Sequence, residues 1–241
     1  MRTIVRFVLG TVVTLVLGHG QLEAQIREVE DGATRPVRFQ AGGHLDLALP
    51  QGEFSEFVDA GFGIGGWAAI NLDRRGFVAL RLDATWLNYG SETRRRPLST
   101  TVPFVTVDVT TQNNIYAVGL GPMITLSQGP IRPYLSGQIG FSYFATESSV
   151  KGTSNSESFA KSTNFDDFTF AWTGGGGLKI RVSNGRVPIF IDGSADYVRN
   201  GRVQYLREGS ITDDGMGNIT IQPIESETNL LVIRLGVSGA W

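Results

Sequence analysis

The chain has 241 residues, a formal net charge of -2 at pH 7, 31 glycines and no cysteine. This length suits one all-β domain. The lack of cysteine excludes disulfide bonds, thiol nucleophiles and cysteine-ligated metal sites. The balanced charge excludes a broad basic surface, so we expect no nucleic-acid partner.

The first 24 residues match the three parts of an export signal. Two arginines precede an apolar core over residues 7–17, and Leu22-Glu23-Ala24 forms a plausible cleavage site. A retained membrane anchor is the alternative, but the apolar core is too short to cross a membrane comfortably as a helix. We therefore predict a cleaved signal peptide over residues 1–24, followed by an N-terminal segment over residues 25–35.

Alternation of apolar and polar residues, typical of half-buried strands, dominates the rest of the chain. In chain order, the predicted strands cover residues 37–49, 61–72, 78–86, 102–126, 134–146, 168–182 and 189–205, and an eighth strand ends at residue 241. Short turns are predicted at 73–76, 127–131 and 183–187, and polar loops at 91–101, 147–166 and 206–224. Short turns that alternate with long loops are typical of transmembrane barrels.

The ends of the predicted strands carry two further patterns. Alternation continues beyond the roughly 9–11 residues that a spanning strand needs, which predicts extended second and fourth hairpins at Val105, Val107, Val109, Ile219 and Ile221. Aromatic residues near strand ends favour interfacial girdles; they are Phe57, Phe77, Trp86, Tyr89, Phe144, Phe165, Phe168, Tyr197 and Trp241.

The ending of the chain is its most specific feature. From Leu231 to Trp241 apolar residues alternate, and the run closes on an aromatic residue. This ending, with the alternating strands from residue 36 onward, resembles the small outer-membrane β-barrels of the OmpA/OmpX type. The resemblance implies an all-β fold, an eight-stranded antiparallel up-and-down transmembrane β-barrel over residues 36–241, with ten strands as the alternative. It also implies a place in the cell outer membrane, with residues 25–35 in the periplasm.

The resemblance has consequences for partners as well. It implies contact with outer-membrane lipid and lipopolysaccharide, and we expect a monomer. In this family the barrel-assembly machinery reads the last strand, and the matching residues here are Ile233, Leu235, Val237 and Trp241. Two positions depart from the family pattern, namely tryptophan in place of phenylalanine at Trp241 and a glycine, Gly239, within the apolar row.

Charged and polar side chains opposite the apolar rows are predicted to lie in the lumen and to form ion pairs. An eight-stranded barrel is just wide enough for side chains to fill, so we expect a closed lumen. Periodicity alone does not decide which row faces outward, and a soluble lipocalin-like barrel would reverse the rows. The predicted lumen network is Arg38, His44, Asp46, Arg81, Asp83, Lys179, Arg181, Asp192, Asp196 and Arg234.

Three motifs invite a functional interpretation. Gly61–Gly66 matches GxGxxG, but strand alternation continues through it, which favours small lumen residues over a dinucleotide site. His44 would act on lipid A only with a serine, Ser194 or Ser238, within hydrogen-bond reach. The run Arg94-Arg95-Arg96 lies in a predicted surface loop, where arginines bind lipopolysaccharide phosphates well.

These patterns together predict a non-enzymatic outer-membrane protein that has a structural role or binds partners or lipopolysaccharide through its loops. A narrow channel for small or apolar solutes is the first alternative. A lipid A-modifying enzyme is the second. No motif predicts a metal or a cofactor.

Overall fold

The computed structural model describes residues 38–97, 106–152, 158–207, 210–213 and 219–241. The predicted signal peptide and the segment 25–35 lie outside these residues. The strands are β1 (Phe39–Pro50), β2 (Gly61–Asn71), β3 (Val78–Pro97), β4 (Thr106–Thr125), β5 (Ile131–Gly152), β6 (Ser158–Ser183), β7 (Ile189–Asn200), β8 (Arg202–Tyr205), β9 (Ile211–Asp213), β10 (Ile219–Ile221), β11 (Ile224–Glu227) and β12 (Leu230–Ala240).

Eight of these strands close into a barrel in the order β1-β12-β7-β6-β5-β4-β3-β2. Every neighbouring pair is antiparallel, and β1 pairs with both β2 and β12. The eight-stranded prediction is therefore confirmed, and the ten-strand alternative is wrong. Closure pairs the backbone groups of the spanning strands with one another, as a hydrocarbon environment requires. Among the described residues, no helix has both the length and the apolar character to cross a membrane.

The apolar rows face outward. Leu45 and Phe62 leave 66% and 67% of their surface exposed, whereas their polar neighbours on the other face, Asp46 and Gly63, point inward. Asp46 is 3% exposed, and Arg81 is 2% exposed. An apolar outside around a polar inside suits lipid as the surrounding medium, so the reversed, lipocalin-like arrangement is wrong.

The two ends of the barrel differ. Short connections at residues 72–77, 126–130 and 184–188 lie at one end, called the turn end below; the other end, the loop end, carries the connections that follow β1, β3, β5 and β7. In the first turn, Asp73 accepts hydrogen bonds from the backbone N–H groups of Arg75 and Val78 at 3.1 and 2.8 Å. Gly76 closes this turn at a φ of 73°, a conformation that favours glycine. Short turns of outer-membrane barrels face the periplasm.

Four strands continue past the barrel at the loop end, and we call this part the protruding sheet. It comprises β3 from Gly90, β4 up to Asn113, β5 from Thr146 and β6 up to Phe165. The extension of the second hairpin is confirmed at Val107 and Val109, and Val105 lies outside the described residues. The predictions of loops over 91–97, 147–152 and 158–166 are wrong, because polar side chains pair across these strands.

The pairs in the protruding sheet are between hydroxyl groups and between opposite charges. The hydroxyl oxygens of Thr93 and Thr110 lie 3.0 Å apart, and the Lys161 amino group lies 3.0 Å from Glu147. Cross-strand pairs of this kind stabilise a sheet whose strands are mostly polar. A sequence that is polar on both faces reads as a loop, which explains the error.

The fourth hairpin is not one extended ladder. The predicted strand 189–205 breaks at Gly201, where β7 ends and β8 pairs instead with β11. The side chain of Asn200 holds the break, because its amide donates to the Thr228 carbonyl oxygen at 2.7 Å. Ile219 and Ile221 belong to a separate two-stranded sheet of β9 and β10, so their prediction as an extension of the hairpin is wrong.

Candidate functional site

Arg234 lies at the centre of the lumen among three carboxylates. From β12 its guanidinium reaches Asp196 on β7 at 3.1 Å, Asp83 on β3 at 3.5 Å and Asp46 on β1 at 3.7 Å. The side chains of the three aspartates are at most 5% exposed. One cation therefore joins three strands that are distant in sequence, as the ion-pair prediction requires.

Asp83 is the most heavily contacted carboxylate of this group. Arg81 binds it through two parallel bonds, from Nε at 2.7 Å and from Nη2 at 2.9 Å. Gln138 also donates to it from β5. His44 lies between two carboxylates, with Nδ1 2.6 Å from Asp46 and Nε2 3.9 Å from Asp83. Bidentate arginine–carboxylate bonds fix both partners in one geometry, so this layer of the lumen is rigid.

Inward-facing glycines make room for this layer. A Cβ on Gly65 would lie 2.4 Å from the His44 ring, and a Cβ on Gly175 would lie 2.3 Å from the Asp196 carboxylate. Both contacts are too close for any side chain. The GxGxxG match at residues 61–66 is thus part of a strand with small lumen residues, as predicted from its uninterrupted alternation.

A second layer lies between the central network and the turn end. It consists of Trp67, Met123 and Tyr134, which are buried together. Two cations lie against the Trp67 ring, with Arg81 Cζ at 4.5 Å and Lys179 Nζ at 4.1 Å from its centroid. Cation–π contacts of this kind lower the cost of burying a charge.

An aromatic plug closes the loop end of the lumen. Phe54, from the 3-10 helix Gly52–Glu56 between β1 and β2, is fully buried. Its ring lies 5.8, 6.3 and 5.1 Å from the rings of Tyr89, Phe144 and Tyr205, in edge-to-face geometry. Sequence reasoning missed this plug and placed Phe57, Tyr89 and Phe144 in the interfacial girdles. That assignment is wrong, because Tyr89 and Phe144 are buried inside the barrel and Phe57 packs against the same cluster.

A small cavity separates the plug from the central network. The volume open to the centre of a water molecule is about 30 Å³, which is room for about two waters. Apolar residues such as Leu87 and Val232 line it on the plug side, and Asp83, Gln138 and Arg234 line it on the other. The arrangement holds water next to charge and offers little room for a larger solute.

Two residues of the predicted lumen network lie outside its central layer. Arg38 precedes β1 at the turn end and is exposed, so its assignment to the network is wrong. Arg181 lies at the turn end, where it donates to the backbone carbonyls of Gln128 and Gly129 at 3.4 Å. Asp192 accepts a hydrogen bond from Tyr134 at 2.8 Å.

The arginine run of β3 is already paired. Arg94 lies 2.6 Å from Glu92, and Arg95 lies 2.9 Å from Asp108. The hydrogen bond from Arg95 lowers the pKa of the Asp108 carboxyl below its usual value. The side chain of Arg96 lies outside the described residues. At the other end of the chain, the proposed assembly-signal residues Leu235, Val237 and Trp241 are exposed on the outer face, and Ile233 is half-buried.

The serine and histidine needed for catalysis are not brought together. Ser194 donates to Asp196 at 2.9 Å, and the Ser238 hydroxyl has no hydrogen-bond partner among the described residues. His44 contacts Asp46 instead of either serine. Within the described residues, no group of three or more histidine, aspartate or glutamate side chains is arranged to hold a metal ion.

The chain is similar to several solved structures at low sequence identity. Comparison with curated proteins finds no match. Among solved structures, the chain is similar to Neisserial surface protein A, with 13% identity over 84% of this chain and 97% of that one and a TM-score of 0.48. It is also similar to Ail of Yersinia pestis (11% identity, 85% and 97%, TM-score 0.43) and to the N-terminal barrel of Pseudomonas aeruginosa OprF (14% identity, 84% and 97%, TM-score 0.34).

The family assignment rests on a sequence match. The model of the outer membrane protein beta-barrel domain matches residues 12–219, which is most of the chain. The closed ring of eight strands and the apolar outer face are what a protein of this family needs in a membrane. The chain belongs to the outer membrane protein beta-barrel domain family.

Proposed function

We propose that this outer-membrane barrel is non-enzymatic and binds an extended polypeptide through the edges of its protruding sheet. The observation that carries the proposal is a pair of strand edges that no described strand covers. A strand edge presents a row of backbone donors and acceptors to which a partner strand can add.

One edge belongs to β3 and the other to β6. On the side of β2, the ladder of β3 stops at Asn88, and from Glu92 to Pro97 no described strand pairs with that side. On the side of β7, the ladder of β6 begins only at Ala171. Just before it, the Phe170 carbonyl accepts from Gly201 N–H and the Asp167 carboxylate accepts from Gln204 N–H, so the edge without a described ladder partner runs from Ser158 to Asp166. Both edges are several residues long, which is enough for a short added strand.

The lumen argues against the two alternative functions. The aromatic plug, the central network and the layer of Trp67 fill it at three levels, which disfavours a channel. The absence of a serine beside His44 disfavours acyl transfer to or from lipid A. Lipopolysaccharide binding by the arginine run is less well supported, because Arg94 and Arg95 are already engaged by carboxylates. The wall of the barrel contacts outer-membrane lipid in this proposal.

The test uses the full chain in lipid nanodiscs and a synthetic peptide of alternating threonine and valine. Hydrogen exchange is measured by mass spectrometry over β3 and β6. We expect the peptide to slow exchange at residues 92–95 and 160–166 and to leave β4 unchanged. The control peptide has proline at every second position and cannot form a ladder. Equal effects of both peptides, or no protection at either edge, would refute strand addition.

A further inference from the structure

The turn end of the barrel carries an excess of positive charge. The relevant residues are the three turns, the three residues on either side of each turn, and the described strand ends at Arg38 and Trp241. Their only side-chain carboxylate is Asp73, which already accepts bonds from two backbone N–H groups. Their arginines are Arg38, Arg74, Arg75, Arg132, Arg181 and Arg186.

Two of these arginines lie together at the mouth of the lumen. Arg132 on β5 and Arg181 on β6 alternate with the outward-facing Ile131 and Ile180, so both are directed inward. Their Cζ atoms lie 4.8 and 5.8 Å from the centroid of the same ring, that of Phe190. The chain thus holds two like charges against one side chain, an arrangement that is unfavourable unless something compensates it.

No described carboxylate compensates the pair. Neither guanidinium forms an ion pair within the described residues, and the acceptors they use are the neutral oxygens of Gln128, Gly129 and Asn184. Two guanidiniums have about ten N–H groups between them, and the contacts described occupy at most four of these. The Nε of Arg181 is buried and has no hydrogen-bond partner among the described residues.

A third basic side chain, that of Lys179, lies deeper in the lumen. Lys179 is directly opposite Arg132 across the β5–β6 ladder, and Asp192 is opposite Lys179 on β7. Asp192 Oδ1 accepts a hydrogen bond from Tyr134, and its buried Oδ2 has no hydrogen-bond partner among the described residues. This carboxylate lies opposite Lys179 in the ladder, so Arg132 and Arg181 remain at the mouth without a described carboxylate of their own.

We propose that Arg132 and Arg181 form an oxyanion-binding site at the turn-end mouth of the lumen, and that it takes a phosphate group. Paired guanidiniums suit phosphate because their planar N–H groups match its oxygens in bidentate geometry. The phosphate reaches the site from the periplasmic water, since both side chains face the lumen rather than the lipid. A free phosphate and the phosphate of a lipid headgroup share this chemistry, and the test separates them.

The test measures binding of inorganic phosphate to the full chain in nanodiscs of zwitterionic lipid. Phosphorus NMR line broadening is followed at constant ionic strength. We expect saturable binding by the wild type and at least tenfold weaker binding by Arg132→Gln/Arg181→Gln. The matched control is Arg74→Gln/Arg75→Gln. It also removes two positive charges from the turn end, and it should change the phosphate affinity less than twofold.

Two outcomes would overturn the site. Equal weakening in both double variants would mean diffuse attraction by net charge and would overturn the site, as would the lack of saturable binding by the folded wild type. If the test variant fails the heat-dependent gel shift that marks a folded barrel, Arg132→Lys/Arg181→Lys replaces it; this variant keeps the charge, loses the bidentate geometry and should still bind several-fold more weakly. Addition of phosphatidylglycerol to the nanodiscs identifies the source: competition with inorganic phosphate assigns the site to lipid headgroups, and unchanged affinity assigns it to soluble phosphate.

Discussion

Replacement of Arg234 by methionine should strongly destabilise the barrel. Methionine keeps a long unbranched side chain but leaves Asp46, Asp83 and Asp196 without the cation that joins them. Breaking a buried ion pair by removing one partner costs about 3–5 kcal/mol. We therefore expect Arg234→Met to lose about that much of its free energy of unfolding.

A second substitution tests the reason for this loss. Without Arg234, the layer keeps three carboxylates and has Arg81 as its remaining arginine, so negative charge is in excess. Asp196→Asn removes one carboxylate without a change of shape, and it should stabilise the Arg234→Met background although it destabilises the wild type. A coupling energy of about 1–3 kcal/mol is expected for residues in direct contact.

Urea unfolding in detergent micelles, followed by tryptophan fluorescence, gives the four free energies of this cycle. The slopes of the transitions must agree, so that only stability differs. Arg95→Met serves as the control, because its pair with Asp108 is exposed at the loop end and should matter little. Additive losses from the two lumen substitutions would refute the view that Arg234 acts by neutralising this carboxylate group.

Three further predictions concern packing, permeability and a turn. Gly65→Ala should block formation of the heat-modifiable barrel, because its Cβ would collide with His44, whereas Gly137→Ala has open space and should fold normally. Inserted wild-type protein should give no steady single-channel conductance in a planar bilayer; a reproducible open level would show that the lumen is not filled. The backbone hydrogen bond from Val78 lowers the pKa of Asp73 below 3.8, so this carboxylate stabilises the turn above its unfolded pKa and loses the effect as pH falls through its folded value. The protection of the Val78 amide should accordingly fall in acid, and Asp73→Asn should remove that dependence.

Much of the fold was predictable from side-chain alternation. Alternation separated the rows that include Leu45 and Phe62 from the polar rows, although only the resemblance to outer-membrane barrels indicated that they face outward. The short turns lie where glycine and asparagine predicted them. The protruding sheet was only half predicted. Valines at 107 and 109 indicated one hairpin, but the serine- and threonine-rich strands of the other carry no apolar row from which a strand could be recognised.

The lumen was predictable in composition and not in its layers. Alternation placed Asp46, Asp83 and Arg234 on the inner face, yet only strand register decides that the three meet at one level. The prediction missed Phe54 altogether. This residue lies in the connection between β1 and β2, where side-chain alternation does not indicate which residues enter the lumen. The excess of arginines at the turn end was visible in the sequence, but the pairing of Arg132 with Arg181 depends on the β5–β6 register.

The filled lumen separates the turn end from the loop end. Allosteric coupling needs an element with two arrangements whose equilibrium both sites bias. Here a closed backbone ladder and a bidentate ion-pair layer lie between the mouth at Arg181 and the edges of β3 and β6, and bidentate bonds hold their partners in one geometry. We therefore expect phosphate at the turn end and the threonine–valine peptide at the loop end to bind independently. Phosphate affinity that changes more than twofold when the peptide is saturating would contradict a rigid lumen, and it would identify Arg234 and its three carboxylates as the layer to examine for movement.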